Sequence, residues 1–178
     1  MATVTVPQNS FKYRMGASFP GDVNRTHPAS VEPVLNDPTL PLLFAGLACL
    51  INAAKTGVRQ FAAGDTAVTK IYGVGVRAFP IQQQVADGVW GYQQQGLQSL
   101  PAGTPIDVLR DGYIMGLVNG TPGKNDPVFV WCAASSGAHV QGGFEQNTSG
   151  GNTAAVTNAF FNGPPDANGY GEVVVNID

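Results

Sequence analysis

From Leu40 onward the chain is a succession of short apolar runs separated by Gly, Pro, Asn and Asp, the rhythm of strands and turns. Leu43, Ala45, Leu47, Cys49 and Ile51 alternate with Phe44, Gly46, Ala48 and Leu50. Both sets are apolar, which predicts a strand buried on both faces; a helix competes, because Leu and Ala favour one. Lys55-Thr56-Gly57 predicts a turn into residues 58–61, closing a hairpin. Ala63-Gly64-Asp65 predicts a second turn, into an extended run over 67–79. Residues 105–110 and 113–118 flank Asp111-Gly112, a hairpin signal. Residues 119–127 (NGTPGKNDP) are dense in turn formers. Residues 128–134 are β-branched and aromatic, 135–143 predict a small-residue turn and a return strand, and 147–152 form a polar loop. In the last run Val173, Val175 and Ile177 face one way and Glu172, Val174 and Asn176 the other. At most one or two helical turns are expected, near 153–160.

Two stretches depart from this rhythm. Residues 1–36 carry Pro7, Pro20, Pro28 and Pro33, which break any helix. They place Lys12, Arg14 and Arg25 among Phe11, Tyr13 and Phe19, so they read as an extended arm. Residues 81–103 hold seven glutamines, a single charge at Asp87, and the aromatic pair Trp90 and Tyr92. A polar stretch of that length inside a compact domain marks a functional loop. Phe11, Arg14, Phe19, Trp90 and Tyr92 are therefore the candidate partner-binding residues. The expected fold is all-β, a jelly-roll-like sandwich or small barrel with an extended N-terminal arm, in one domain over residues 1–178.

Composition narrows the function. Charged residues make up 12% of the chain, against about a quarter in ordinary soluble domains. Surface polarity rests on Gln, Asn, Ser and Thr, which are cheaper to desolvate than charges and suit a protein covered by other proteins. The net charge is −3, with no basic block, so direct nucleic-acid binding is not expected. All nine Lys and Arg fall within residues 1–124, net +2, while 125–178 carry net −5; complementary faces meeting in an assembly are one reading of this division. The 15-residue apolar run 40–54 is shorter than the ~20 residues of a membrane-crossing helix. No membrane partner is expected. The N-terminus lacks the basic and apolar regions of a secretory signal.

Catalytic chemistry finds little material. Cys49 and Cys132 lie in apolar runs and read as buried thiols. Asp126, Cys132 and His139 could be drawn as a thiol site, and Asp107 with Asp111, or Glu145 with another acid, as paired carboxylates. Nothing in the spacing fixes either geometry. Gly73-Val74-Gly75 is too short for a phosphate loop and reads as a bulge or close backbone contact. No metal-ligand spacing exists, and no cofactor, metal or catalytic residue is expected. The exposed aromatics leave a binding protein, with a protein partner ahead of a sugar. The alternative is a carbohydrate-binding β-sandwich.

Several segments together resemble the decoration, or cement, proteins of tailed-bacteriophage capsids. They are Phe19-Pro-Gly-Asp-Val-Asn-Arg25, Gly73-Val-Gly-Val-Arg-Ala-Phe-Pro-Ile-Gln-Gln83, Thr104-Pro-Ile-Asp-Val-Leu-Arg-Asp-Gly-Tyr113, Asp126-Pro-Val-Phe-Val130, Gly142-Gly-Phe144 and Gly169-Tyr-Gly-Glu-Val-Val-Val175. The resemblance implies a small β-rich fold without catalytic activity. It implies a place on the outer capsid surface at junctions between major capsid protein subunits, as a dimer or trimer, after assembly in the host cytoplasm. Over the Gln-rich stretch Gln82–Gln98 the resemblance supplies no firm pattern and implies no role.

Overall fold

The computed structural model describes residues 19–23, 29–77 and 99–176. The candidate residues Phe11, Arg14, Trp90 and Tyr92 lie outside these segments. Among the described residues nine strands follow in order: β1 (Ser30–Asn36), β2 (Ala48–Ile51), β3 (Gly57–Gln60), β4 (Gly73–Gly75), β5 (Pro105–Asn119), β6 (Lys124–Trp131), β7 (Phe144–Glu145), β8 (Thr153–Asn162) and β9 (Tyr170–Val175). One 3-10 turn, Ala63–Ala67, stands between β3 and β4. The all-β expectation holds.

The pairings close two rings that share β5. In the first, β1 pairs with β3, β3 with β2, β2 with β4, β4 with β5, and β5 returns to β1. In the second, β5 pairs with β7, β7 with β6, β6 with β8, β8 with β9, and β9 with β5. Closure removes the open strand edges that invite stray pairing. A chain with few charges has little else to keep copies apart. Leu47, Cys49, Val58, Ile106 and Val108 form one apolar cluster on the first ring. A larger one runs from Leu50, Val74 and Leu109 through Ile114, Val130, Phe144 and Phe161 to Val173 and Val175, spanning both rings.

The shared strand corrects the expected Asp111-Gly112 hairpin. Residues 105–119 are one continuous strand. Its first half pairs with β1 and β4, and its second, from Gly112, with β9 and β7. Gly112 has φ +127, and a Cβ there would lie 3.3 Å from that of Ala29. The glycine serves a bend in which β5 changes partners, not a reversal.

Other expectations shift by smaller steps. The run 43–51 is strand only over Ala48–Ile51, because Ala45-Gly46 turns. Its hairpin with β3 is present. Of the extended run 67–79, the described residues 67–77 are strand only at Gly73–Gly75, where a Cβ on Gly73 would sit 2.4 Å from Leu109 O; the expected close backbone contact is there. No return strand forms at 135–143, which holds only the Ser136–His139 bridge. The helical turn expected near 153–160 is strand β8, with Ala154, Val156 and Asn158 buried between exposed Ala155 and Thr157. Ser30–Asn36, the last part of the expected arm, is a strand with six register partners on β5. Pro33 is accommodated because only Leu35 and Asn36 of β1 also pair with β3, so its missing N–H falls where no second ladder runs.

Buried amides hold the connections. Asn158 Oδ1 accepts from Ile71 N at 3.0 Å and its Nδ2 donates to Ile71 O at 2.9 Å. A side chain thus completes a backbone ladder between the 69–71 segment and β8.

Candidate interaction surfaces

Four separate stretches of chain meet at one corner of the first ring. Gly21 N donates to Met115 O, Arg77 N to Gly21 O, Gly46 N to Gly75 O and Leu100 N to Leu43 O. Phe44 bridges Ser99. The packing is tight: a Cβ on Gly21 would lie 2.5 Å from that of Ala45. The Arg77 guanidinium sits 4.4 Å from the Phe19 ring centroid, a cation–π contact. Phe19 is 39% and Leu43 46% exposed, among the most exposed large apolar side chains described. Of the candidate binding residues, Phe19 alone is described, and it lies here. Residues 1–18 join the body at this corner, and residues 78–98 join it at both their ends, through Arg77 and Ser99.

The second ring ends in a cavity of about 530 Å³, lined by Asn119, Thr121, Val140, Glu145, Asp166 and Asn168 among others. Glu145 is 5% exposed. Its Oε2 accepts from Asn119 Nδ2 at 2.8 Å, and its Oε1 lies 2.9 Å from His139 Nδ1. The His139 ring stacks on Trp131 with centroids 4.1 Å apart. This answers the thiol reading of Asp126, Cys132 and His139. The histidine faces Glu145, while Cys132 Sγ donates to Val130 O at 3.4 Å. Burial pushes the Cys132 thiol up to about 11 and the Cys49 thiol up to about 12, far from a reactive thiolate. Both cysteines are free and buried, as their apolar settings predict. The Asn119–His139–Glu145 association was not legible in sequence, since a parallel contact between β5 and β7 creates it.

Three carboxylates hold the first ring together. Asp65 receives both Arg59 Nη1 at 2.7 Å and Nη2 at 2.8 Å, and these bonds, with one from Ala62 N, hold its carboxyl below the usual range. Glu32 is held low by the Tyr72 hydroxyl and then by Arg110, whose guanidinium lies 3.8 Å over the Tyr72 ring. Asp37 is held well below the usual range by the Thr39 hydroxyl, Leu40 N and Asn52. A depressed folded-state value adds stability above the unfolded carboxylate range near pH ~4, and that stability is lost as pH falls through the folded value. The melting temperature is therefore expected to fall steeply below about pH 4. Asp65→Asn should be less stable at neutral pH and show a shallower acid slope in the same titration; an unchanged slope would remove the Arg59 pair from this account.

Among the described residues no group of three metal-ligating side chains comes together. The fold is that of a small all-β protein of two rings sharing β5, built from a charge-poor sequence, with exposed Phe19 and Leu43 together at one corner. Comparison with known proteins agrees. The sequence profile of the family described as structural cement protein (E217 gp24/Pam3 gp6) matches residues 7–176, and the chain belongs to that family. A chain from the capsid of Myoviridae phage XM1 has a similar fold, with TM-score 0.62 and 19% identity over 92% of this chain and 95% of that one. No curated protein matches.

Proposed function

We propose that this protein fastens to the outside of a bacteriophage head, at junctions between major capsid subunits, and stiffens the shell as a dimer or trimer. It turns over no substrate and needs no cofactor. The observation that carries this reading is the family match across nearly the whole chain. The shared corner supports it: the aromatic and basic arm and the Trp90/Tyr92 segment, both picked out by composition, attach to the fold side by side. One broad contact built from two segments suits a cement, in which many modest interfaces repeat over the shell and avidity replaces a single tight site.

The test is to add purified protein to heads that lack it and to measure copies bound and the temperature at which the heads release DNA. Saturable binding and a higher release temperature are expected. A protein that stays in solution and leaves the heads unchanged overturns the reading. In the same assay Trp90→Ala should weaken binding by roughly 30-fold, as for a ~2 kcal/mol aromatic anchor, with unfolding unchanged. A screen of the isolated protein against glycans should return no hits; specific binding there would favour the carbohydrate reading.

A further inference from the structure

Lysine, asparagine and glutamate stand in one row across three neighbouring strands of the second ring. Lys124 on β6 is the register partner of Asn162 on β8. The β8–β9 register, Phe161 against Val173, next sets Asn162 against Glu172. Asn162 Nδ2 donates to Glu172 Oε2. Directly opposed residues on antiparallel strands share a face, with Cβ atoms about 5 Å apart. A lysine side chain reaches across that gap to the asparagine amide carbon. Alternation puts Phe160 and Val174 on the same face, and Met115 is the β5 partner of Glu172. Asn162, Val174 and Met115 are 6%, 4% and 7% exposed. The row therefore runs from an exposed amine at the start of β6 into an apolar patch.

We propose that Lys124 and Asn162 form an intramolecular isopeptide bond, with Glu172 as the acid–base group. Glu172 takes a proton from the Lys124 ammonium, freeing the amine, and Nζ attacks Asn162 Cγ. Glu172 hands that proton to Nδ2, the nitrogen its Oε2 already contacts, and takes the second proton from Nζ; the Cγ–Nδ2 bond breaks, and the ammonia leaves with that last proton as ammonium, so the neutral Cγ–Nζ amide remains and Glu172 is again a carboxylate. No oxidant or second reactant is needed. Lys124 is exposed in the folded chain, so water competes with the asparagine for its amine and the reaction is slow. Fixed cross-strand placement compensates by making the attack intramolecular. The product ties β6 covalently to β8, resisting the separation of strands that a strained shell imposes.

Intact mass spectrometry of the purified protein, followed over weeks at physiological temperature, tests this. The expected result is a species lighter by one ammonia, with a branched peptide joining Lys124 to Asn162 after proteolysis. Lys124→Arg should keep its full mass, and Glu172→Gln should form the species at least tenfold more slowly. Full mass throughout in the native protein overturns the proposal. So does ammonia loss that persists in Lys124→Arg, since Asn162-Gly163 can lose ammonia by cyclising on its own backbone. If Glu172→Gln does not fold, Lys124→Arg with the peptide map still decides; a native rate in folded Glu172→Gln overturns the role of the glutamate.

Discussion

Removing residues 1–18 is expected to cost the protein its place on the phage head while leaving its β body intact. The cut falls just before Phe19. It keeps the Phe19–Arg77 contact, the Gly21 bonds to Met115 and Arg77, and all nine described strands. Thermal unfolding should shift by no more than about 0.5 kcal/mol, the range of changes away from packed features. Head binding should fall at least a hundredfold, roughly 2.7 kcal/mol, read by co-sedimentation with heads. Removing residues 1–36 would be a different experiment. It takes away β1, breaks its register with β5 and opens the first ring, so loss of binding would report unfolding. Full occupancy by the shorter truncation would exclude residues 1–18 from the contact.

That distinction shows where sequence and structure part. Burial on both faces of β2, the β2–β3 hairpin, the buried cysteines and the all-β class were legible, because each depends on local alternation and nearby turns. Three features were not. Asp-Gly is the best short hairpin signal available, yet at Gly112 the same conformational freedom lets β5 pass from one ring to the other. Ala154 and Ala155 favour helix by propensity, but pairing with β6 and β9 overrides them. The prolines before Asn36 suggested an arm, whereas one unpaired flank lets Pro33 sit within a strand. In each case the deciding partner is distant in sequence. The candidate contact residues divide in the same way. Composition singled out the arm and the Trp90/Tyr92 segment, but only the meeting of residues 19–21, 43–46, 75–77 and 99–100 places their attachment points together. The Lys124–Asn162–Glu172 row depends on register and carries no sequence signature.

Asn36→Ala should be among the most destabilising single changes in the protein. Asn36 is fully buried, at the end of β1 where the chain leaves the first ring. Its Oδ1 accepts from Leu42 N at 2.8 Å. Its Nδ2 shares two hydrogens among the carbonyls of Leu42, Leu100 and Pro101, at 3.1, 3.3 and 3.1 Å. One amide thereby satisfies four backbone groups from two loops, and its own backbone bonds Thr104 O and Gly103 N. Alanine keeps the backbone bonds and strands the rest. Each orphaned buried group costs about 1–3 kcal/mol, less where water enters the space left behind. A total near 3 kcal/mol, or roughly 6–12 °C in melting temperature for a chain of this size, is expected. Asn36→Asp discriminates polarity from volume. It preserves the shape, but at neutral pH it sets a carboxylate against three carbonyl oxygens with no proton to donate, so it should be at least as damaging as alanine. Burial among acceptors favours the protonated acid, so stability lost by Asn36→Asp should partly return on acidification, against the native trend. If Asn36→Asp melted like the native protein at neutral pH, the amide would not be what joins these loops. The result also bears on function, because Leu100 and Pro101 lie at the C-terminal end of the Gln-rich segment, just past its last glutamine, Gln98. A loosened Asn36 would free one attachment point of the proposed contact, and head binding should weaken along with stability, whereas Trp90→Ala should weaken binding alone.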